Sequence, residues 1–293
     1  MPTPLFNKTV LMSDALNFSA DLTINPYYGD KHIDQAKAIA EHSAIKSALE
    51  SAGITVHTTP SPRNSQDGVY TANWALVRGD TAVLARLPEA RKTEESYAQA
   101  VLEALGKHVV YVPDGLKFSG QGDALPCGNY LLCGKGYRSD EAAQQFAAET
   151  LGYTRIQLEA VPQLDENGTP VINNVSGWPD SFFYDIDLAI SIIRPPTDSA
   201  PGIVAYCPDA LTKESVDALR TMNNVDLLPI SLQEAQQGFA ANLVSTGEVV
   251  VMSKDAPQFK AALEARGLTV VTPSISELAK GGGYIRCTTL TID

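Results

Sequence analysis

Apolar positions along the chain follow two alternating spacings. Five segments have apolar residues at i, i+3 and i+4 and end in Gly or Asn, which is typical of helices with a left-handed C-terminal cap. A short apolar run of strand type follows each segment. The five helix–strand pairs are AIKSALESAG-ITVHTTP, YAQAVLEALG-KHVVYVP, AAQQFAAETLG-YTRIQLEAVP, KESVDALRTMNN-VDLLPIS and APQFKAALEARG-LTVVTPS.

A second set of apolar runs precedes the same five helices. These runs are TVLMSDA, TAVLARL, NYLLCGKG, GIVAYCP and EVVVMSK. The pattern therefore predicts a strand–helix–strand unit that recurs about five times, at intervals of roughly 45–70 residues.

Tandem units of this kind fold either as a doubly wound sheet or as a closed ring of small sheets with helices outside. The second strands are short and end in Pro or Ser, and no unit carries a Gly-rich phosphate loop, which favours the ring. A ring would place its inner strand ends, and a site, at the central axis. No linker or low-complexity segment divides the chain, so we expect a single domain over residues 1–293, with polar loops at 162–181 and 192–202.

The charge balance excludes some partners. With 22 Lys and Arg against 34 Asp and Glu, the net charge is −12. We therefore expect no nucleic-acid or anionic-membrane binding, and a cationic small molecule fits this charge better.

No apolar run approaches the ~18 residues of a membrane span. The start of the chain does not resemble a signal peptide, and the four cysteines lack CxxC spacing. We therefore expect a cytoplasmic protein without a metal or organic cofactor.

The sequence GGGYIRCTTLTID draws attention to Cys287. Glycines 281–283 allow the backbone to approach a ligand closely. Arg286 and Lys280 would lower the thiol pKa and favour a nucleophilic thiolate. The alternative is a buried structural cysteine in an alternating last strand, YIRCTTLTI.

Two carboxylates stand two residues apart in the apolar run FFYDIDLAI. If this run is a strand, Asp185 and Asp187 point to the same face. Carboxylates in apolar surroundings are costly unless they are paired, and a guanidinium could pair with them bidentately. The alternative is a solvated strand edge or loop.

Four further residues are weaker candidates. Asp123 lies in the Gly-bracketed turn FSGQGDALP, and Asn73 interrupts the strand-like run YTANWALV. Arg91 and Arg138 each stand near a helix start, where the helix dipole disfavours a cation, so they suggest ligand contacts. Each also has an ordinary interpretation, as a turn or capping residue or as a surface arginine.

The order of these motifs resembles the guanidine-modifying (pentein) superfamily, also called the amidinotransferase family. It includes arginine deiminase, dimethylarginine dimethylaminohydrolase, agmatine deiminase, arginine dihydrolase and glycine amidinotransferase. The resemblance runs from VLMSDALNFSADLTINPYY through DGVYTANWALV, FSGQGDAL, GYRS, FFYDIDLAISII and AYCPDAL to KGGGYIRCTTL. It implies a five-fold pseudosymmetric α/β-propeller that contains nearly the whole chain.

The resemblance also implies roles at the reacting centre. Cys287 matches the nucleophile that attacks the guanidinium carbon. Asp187 matches the acidic residue of a His-x-Asp motif that holds the guanidinium nitrogens. Asp123 matches the Asp of a Glu-Gly-x-Gly-Asp turn. Asn73 stands where many members have Asp, and an Asn there resembles the arginine-dihydrolase branch.

The remaining matches concern the rest of the substrate. Arg91 and Arg138 align with arginines that hold a substrate α-carboxylate in that branch. Asn25, in INPYY, matches a position near the substrate.

Two positions depart from the family pattern. Asp185 replaces the catalytic His of His-x-Asp, and Ser119 replaces the Glu of the Glu-Gly turn. A carboxyl beside Asp187 could carry the proton if burial raised its pKa.

We therefore expect a hydrolase that acts on a guanidino or amidino C–N bond of an arginine-like molecule, through a covalent thiouronium on Cys287. The alternatives are an amidinotransferase and a catalytically impaired binding or regulatory protein. A homodimer is a further expectation, because compact acidic α/β enzymes often pair.

Overall fold

The computed structural model describes residues 6–29 and 32–293. The prediction that the start of the chain is not a signal peptide falls partly on residues 1–5, which lie outside the described residues. The described chain forms fifteen strands: β1 (Thr9–Ser13), β2 (Thr55–Thr59), β3 (Ala75–Arg78), β4 (Thr81–Leu84), β5 (His108–Tyr111), β6 (Ala124–Cys127), β7 (Tyr130–Gly134), β8 (Thr154–Leu158), β9 (Ile190–Arg194), β10 (Gly202–Tyr206), β11 (Val225–Pro229), β12 (Val244–Ser245), β13 (Val249–Val251), β14 (Thr269–Val271) and β15 (Leu290–Thr291).

Within the same residues there are six α-helices: α1 (Gln35–Ser51), α2 (Thr93–Ala104), α3 (Glu141–Leu151), α4 (Lys213–Arg220), α5 (Leu232–Gln236) and α6 (Pro257–Glu264). All except α5 are the helices that the periodicity predicts. The Gly or Asn after each of these five has a positive φ, as expected for a left-handed helix end; these residues are Gly53, Gly106, Gly152, Asn224 and Gly267. Among the described residues, no helix has the length and apolar character needed to cross a membrane.

The strands form five separate three-stranded sheets, β15-β1-β2, β3-β4-β5, β6-β7-β8, β9-β10-β11 and β12-β13-β14. In every sheet the middle strand pairs antiparallel with the first-named strand and parallel with the third. We call the first-named strands the inner strands; β15 contacts β3, β6 contacts β9, and β9 contacts β12. The prediction of a five-fold α/β ring is confirmed, and the doubly wound sheet is wrong.

The inner strands were absent from the sequence pattern, and three local predictions around them are wrong. Cys287 lies in a turn before β15, because the backbone bonds locally, from the Thr288 amide to the Tyr284 carbonyl. The run around the two carboxylates is not a strand: Asp185 directly precedes a 3-10 turn, Ile186–Leu188, and Asp187 lies within it. Asn73 likewise lies in a 3-10 turn that precedes β3.

The last strand closes the ring of sheets. It pairs antiparallel with β1, with Val10 opposite Thr291 and Leu11 opposite Leu290. The Asp293 carboxylate accepts the backbone N–H groups of Lys8 and Thr9 at 3.0 and 2.6 Å. Residues from the two ends of the described chain therefore build one sheet.

Truncation of Leu290 tests this closure. Its side chain is fully buried in a cluster with Leu11 and Trp74. We expect Leu290→Ala to lower the free energy of unfolding by about 2–5 kcal/mol, because it leaves a cavity. Leu16→Ala is the matched control, since Leu16 is 61% exposed, and it should change stability by less than ~0.5 kcal/mol. Urea unfolding would measure both, and equal effects would contradict the role of the closing strand.

Candidate active site

Five polar residues occupy equivalent positions in the five sheets. Asn73, Asp123, Asp187, Asn242 and Cys287 each come one to three residues before an inner strand. The repeat thereby brings them to the same end of the ring. Sequence reasoning missed Asn242, although its segment AANLVS parallels TANWALV around Asn73, and an alignment of the repeats would have found it.

Asn242 holds the thiol-bearing turn. Its Oδ1 accepts the backbone N–H groups of Cys287 and Tyr284 at 3.1 and 3.0 Å, and its Nδ2 lies 3.1 Å from Cys287 Sγ. The thiol also lies 3.5 Å from Asp187 Oδ2. A side chain at Gly283 would come within 2.9 Å of the Cys287 Cβ and 2.5 Å of the Tyr70 ring. The glycine run is therefore needed for this close packing.

The thiol environment differs from the sequence expectation. Burial, and then the charges of Asp187 and Asp185, raise the pKa of Cys287 well above its ordinary value. Lys280 bonds to Glu277, and Arg286 bonds to neutral groups. Lys280 is thus engaged by Glu277 and not by the thiol. The charge of Arg286 does favour the thiolate, but burial and the two carboxylates outweigh it, so the expectation of a lowered thiol pKa is wrong.

Three carboxyl groups form a buried cluster, two of whose members, Asp185 and Asp187, interact with the thiol. Asp123, Asp185 and Asp187 are each at most 2% exposed, so the interpretation of a solvated edge is wrong for Asp185 and Asp187. One oxygen of each group has no hydrogen-bond partner within the described chain. Burial is the main cause that raises the pKa of all three, and the charge of Asp185 raises those of Asp123 and Asp187 further. No basic side chain of the described residues forms an ion pair with any of them.

Asn73 connects this acidic cluster to a buried arginine. Its Nδ2 donates to Asp185 Oδ2 at 2.7 Å and to Ser119 Oγ at 2.9 Å. Its Oδ1 accepts from Arg91 Nη1 at 2.8 Å. Arg91 also forms a bidentate pair with Glu94, at 2.8 and 2.7 Å, so its charge is already balanced. This chain of bonds fixes the orientation of the Asn73 amide toward Asp185.

Arg138 is held more loosely. Its guanidinium donates to the carbonyls of Ile24 and Pro179 at 3.0 and 3.4 Å, and the Asp180 carboxylate lies 3.8 Å away. The Tyr184 ring lies 5.0 Å below the guanidinium carbon. Unlike Arg91, Arg138 has no short charge-assisted bond to a carboxylate among residues 6–29 and 32–293.

Asn25 connects the N-terminal segment to the glycine run. Its Nδ2 donates to the Gly281 carbonyl at 2.9 Å, and its Oδ1 accepts the Tyr27 amide at 2.9 Å. The Tyr184 hydroxyl lies 3.4 Å from the same Nδ2 and donates to the Gly282 carbonyl at 2.9 Å.

These residues surround a narrow pocket that we call the thiol pocket. Six of the eight sequence candidates line it: Asn25, Asn73, Arg91, Arg138, Asp185 and Cys287, together with Ile24, Asp67, Tyr70, Leu87, Pro88, Ser119 and Tyr184. Asp123 and Asp187 lie behind this lining. The pocket volume is about 20 Å³, room for about one water, so an arginine-sized molecule requires side chains to move.

The described lining of the thiol pocket contains no histidine, and the described chain contains no metal-binding cluster. The four histidines are all described, and none lines the pocket. Within residues 6–29 and 32–293, no group of three His, Cys, Asp or Glu side chains has the arrangement of a metal site.

Comparisons with known proteins agree with this geometry. A family model described as "N,N dimethylarginine dimethylhydrolase, eukaryotic" matches residues 16–175. The N(G),N(G)-dimethylarginine dimethylaminohydrolase of Mycobacterium tuberculosis is 30% identical over 278 residues, which cover 94% of this chain and 82% of that protein. The bifunctional arginine dihydrolase/ornithine cyclodeaminase AgrE of Nostoc sp. is 29% identical over 288 residues, 96% of this chain but 37% of that protein.

A solved structure shows the same fold. The N-terminal domain of ArgZ, an arginine dihydrolase from the ornithine–ammonia cycle in cyanobacteria, superposes with a TM-score of 0.83. The alignment covers 97% of each chain at 24% identity. The chain thus corresponds to little more than a third of bifunctional relatives such as AgrE, and to one domain of ArgZ.

The buried carboxyl cluster predicts a pH dependence of stability. A carboxyl whose pKa is higher in the folded state than in the unfolded state stabilises the fold fully at low pH, and this contribution is lost as pH rises through the folded pKa. Because the pKa of Asp123 is raised, the free energy of unfolding should fall as pH rises above about 4.

Asp123→Asn should make this decline shallower, measured by urea unfolding between pH 4 and 8. Asp165→Asn is the control, because Asp165 is exposed and backbone N–H groups lower its pKa; this variant should keep the wild-type slope above pH 5. An unchanged slope in Asp123→Asn would show that the cluster is ionised in the free protein.

Proposed function

Because the chain belongs to the dimethylarginine dimethylaminohydrolase family of penteins, we propose that it hydrolyses a guanidino C–N bond of an arginine-like small molecule. One observation carries the proposal: Asp187 and Asp185 lie beside the Cys287 thiol, Asp123 lies beside those two, and each carboxyl has one oxygen without a hydrogen-bond partner in the described chain. No basic side chain of the described residues forms an ion pair with any of the three. A guanidinium supplies a planar cation with several N–H donors, which matches this arrangement.

Substrate binding activates the nucleophile in this proposal. A bound guanidinium lowers the pKa of Asp187 and of the Cys287 thiol, because it favours their charged forms. Asp187, which is neutral in the free protein, releases its own proton to solvent as the cation binds. Its Oδ2, 3.5 Å from Sγ, then accepts the thiol proton. The thiolate, which is the reactive form, thus arises when the substrate is present.

The covalent step follows from this arrangement. Cys287 Sγ forms a bond to the guanidino carbon, and the C–N bond to the departing amine then breaks. Protonated Asp185 donates its proton to that nitrogen, in the role that histidine has in the family. The raised pKa of Asp185 keeps this proton available. The product is an amine and a thiouronium adduct on Cys287.

Hydrolysis of the adduct restores the protein. Water adds to the same carbon and gives one proton to the Asp185 carboxylate. The C–S bond then breaks with Sγ as the leaving group, the carbonyl forms, and the remaining O–H proton is released to solvent, where the freed amine takes it up. Asp187 returns its proton to the sulfur. Asn73, held by Arg91, keeps Asp185 oriented through both steps.

The rest of the substrate lies toward the arginines. We assign the α-carboxylate to Arg138, because Arg91 is already paired with Glu94. Asn25 and Tyr184 border this side of the pocket. A substrate of this kind is arginine or a methylated arginine, the compounds in the names of the relatives.

Catalytic impairment is the second candidate. None of the four histidines lies in the pocket, and Ser119 replaces an acidic residue. A protein of this kind would bind the guanidino compound and leave it unchanged. A transferase would need, in addition, a site for an acceptor amine.

Intact-mass measurement with arginine and with dimethylarginine tests the proposal. We expect a Cys287-dependent adduct together with release of ammonia or dimethylamine. Cys287→Ala should show neither, and Cys127→Ala, another buried free cysteine, should behave as the wild type. Thermal stabilisation by either compound without adduct or amine release would favour the binding protein, and no response at all would exclude both candidates.

Substitution of Asp185 tests the proton carrier. Asp185→Asn should lower kcat about 10²-fold or more, because general acid–base catalysis contributes on that scale, and should change KM little. In the wild type, kcat should fall as pH rises through the raised pKa of Asp185. Asp165→Asn is the exposed Asp-to-Asn control. Full activity in Asp185→Asn would assign the proton to another group.

A further inference from the structure

A second cavity lies on the other side of the Cys287 turn, and we call it the axial cavity. Its volume is about 280 Å³, close to the smallest usual ligand pockets. It shares no lining residue with the thiol pocket. All five inner strands line it, directly or through an adjacent residue, with Val77, Leu125, Ile190, Leu243 and Thr291.

Residues adjacent in the chain face the two pockets in opposite directions. Cys287 lines the thiol pocket, whereas Arg286 lines the axial cavity. Similarly, Asn242 contacts the thiol, whereas Leu243 lines the axial cavity. One layer of chain therefore separates the two pockets.

Arg286 is a buried cation without a close anionic partner. Its guanidinium donates to Thr291 Oγ1 at 3.0 Å and to Gln121 Oε1 at 2.8 Å, and both acceptors are neutral. In the described part of the chain, no carboxylate oxygen forms an ion pair with it within 4.0 Å. A buried charge without a counter-charge is costly, so an anion in the axial cavity would be favoured.

A second observation also indicates a ligand. Ser191 lines the axial cavity and is 96% buried, since its exposed fraction is 4%. Its hydroxyl has no hydrogen-bond partner in the described chain. Buried hydroxyls without a partner are uncommon and require an explanation. Ser191 Oγ is enclosed on the cavity side, so a polar group of a bound molecule would satisfy it once the side chain turns toward the cavity.

The rest of the lining is mainly apolar, with Phe6, Leu125, Tyr153, Ile192 and Leu243 among its members. The carboxylate of the cavity, Asp293, is occupied by the backbone N–H groups of Lys8 and Thr9. It therefore does not supply the counter-charge of Arg286.

We propose that the axial cavity binds a small organic carboxylate with an apolar body, whose carboxylate pairs with Arg286. The apolar lining holds the body of the ligand. The site is distinct from the thiol pocket, and the argument for it does not depend on the proposed hydrolase activity.

The location of Arg286 couples the two pockets. Its charge attracts those of Asp187 and Cys287 across the separating layer. A carboxylate bound to Arg286 offsets that attraction, and the Cys287 thiolate then becomes less favourable. Binding at the axial cavity should therefore slow reactions of the thiol.

Calorimetric titration of the full chain with octanoate and with octanol tests the site. We expect octanoate to bind at least about tenfold more tightly than octanol, because a charged hydrogen bond to Arg286 adds to the same apolar contact. Absence of octanoate binding would overturn the proposal, and equal affinities would overturn the role of Arg286.

Two variants and a chemical readout locate the site. Arg286→Gln should reduce octanoate affinity to that of octanol, and Ser191→Leu should weaken binding of both ligands by partly filling the cavity.

Saturating octanoate should also slow the alkylation of Cys287 by iodoacetamide at least about fivefold, as measured by peptide mass. If Arg286→Gln fails to fold, Ser191→Leu still decides: unchanged octanoate affinity there would place the ligand elsewhere. An unchanged alkylation rate would exclude the coupling. These readouts do not require turnover, so failure of the proposed hydrolase would leave them intact.

Discussion

The antiparallel pairing of β15 with β1 is the constraint on which the site depends. Four sheets take their inner strand from the segment just before their middle strand, but the first sheet takes it from the other end of the described chain. The turn that carries Cys287 lies three residues before that strand. The position of the thiol is therefore fixed by ring closure, and any loss of β15 pairing displaces Cys287 from Asn242 and Asp187.

The five-fold repeat has an electrostatic consequence. Equivalent positions before the inner strands converge, so Asp123 and Asp187 are brought together with Asp185 whether or not a cation is present. Proximity and burial both oppose ionisation of these groups. The fold thus builds an acidic cluster whose pKa values are raised. In the proposed function, specificity for a cation would then be a property of the architecture and not of one side chain.

The sequence predicts the helix and the two outer strands of each unit better than it predicts the inner strand and the turn before it. Helices of eight or more residues and their flanking strands leave a clear periodicity, and Gly or Asn marks each helix end. The inner strands are two to five residues long and largely buried, so they show no alternation apart from the run YIRCTTLTI, which contains β15. The turns around Cys287, Asp185 and Asn73 resemble strands because their apolar neighbours face several sheets at once. Glu94 and Asn242 could not be found by residue type, since their function is to orient Arg91 and the thiol turn.

In the proposed mechanism, Asp185 differs from the histidine of the family pattern in the conditions under which it holds a transferable proton. An imidazole exchanges its proton near neutral pH in water, whether or not a substrate is present. The pKa of Asp185 depends on the cluster around it, on the hydrogen bond from Asn73 and on the charge of the bound molecule. A guanidinium would lower the pKa of Asp185, and its conversion to a neutral product would raise it again. In the proposed mechanism, Asp185 would therefore link the protonation state of the site to the charge of its ligand, and the Asn73–Arg91–Glu94 chain would hold Asp185 in place while that charge changes.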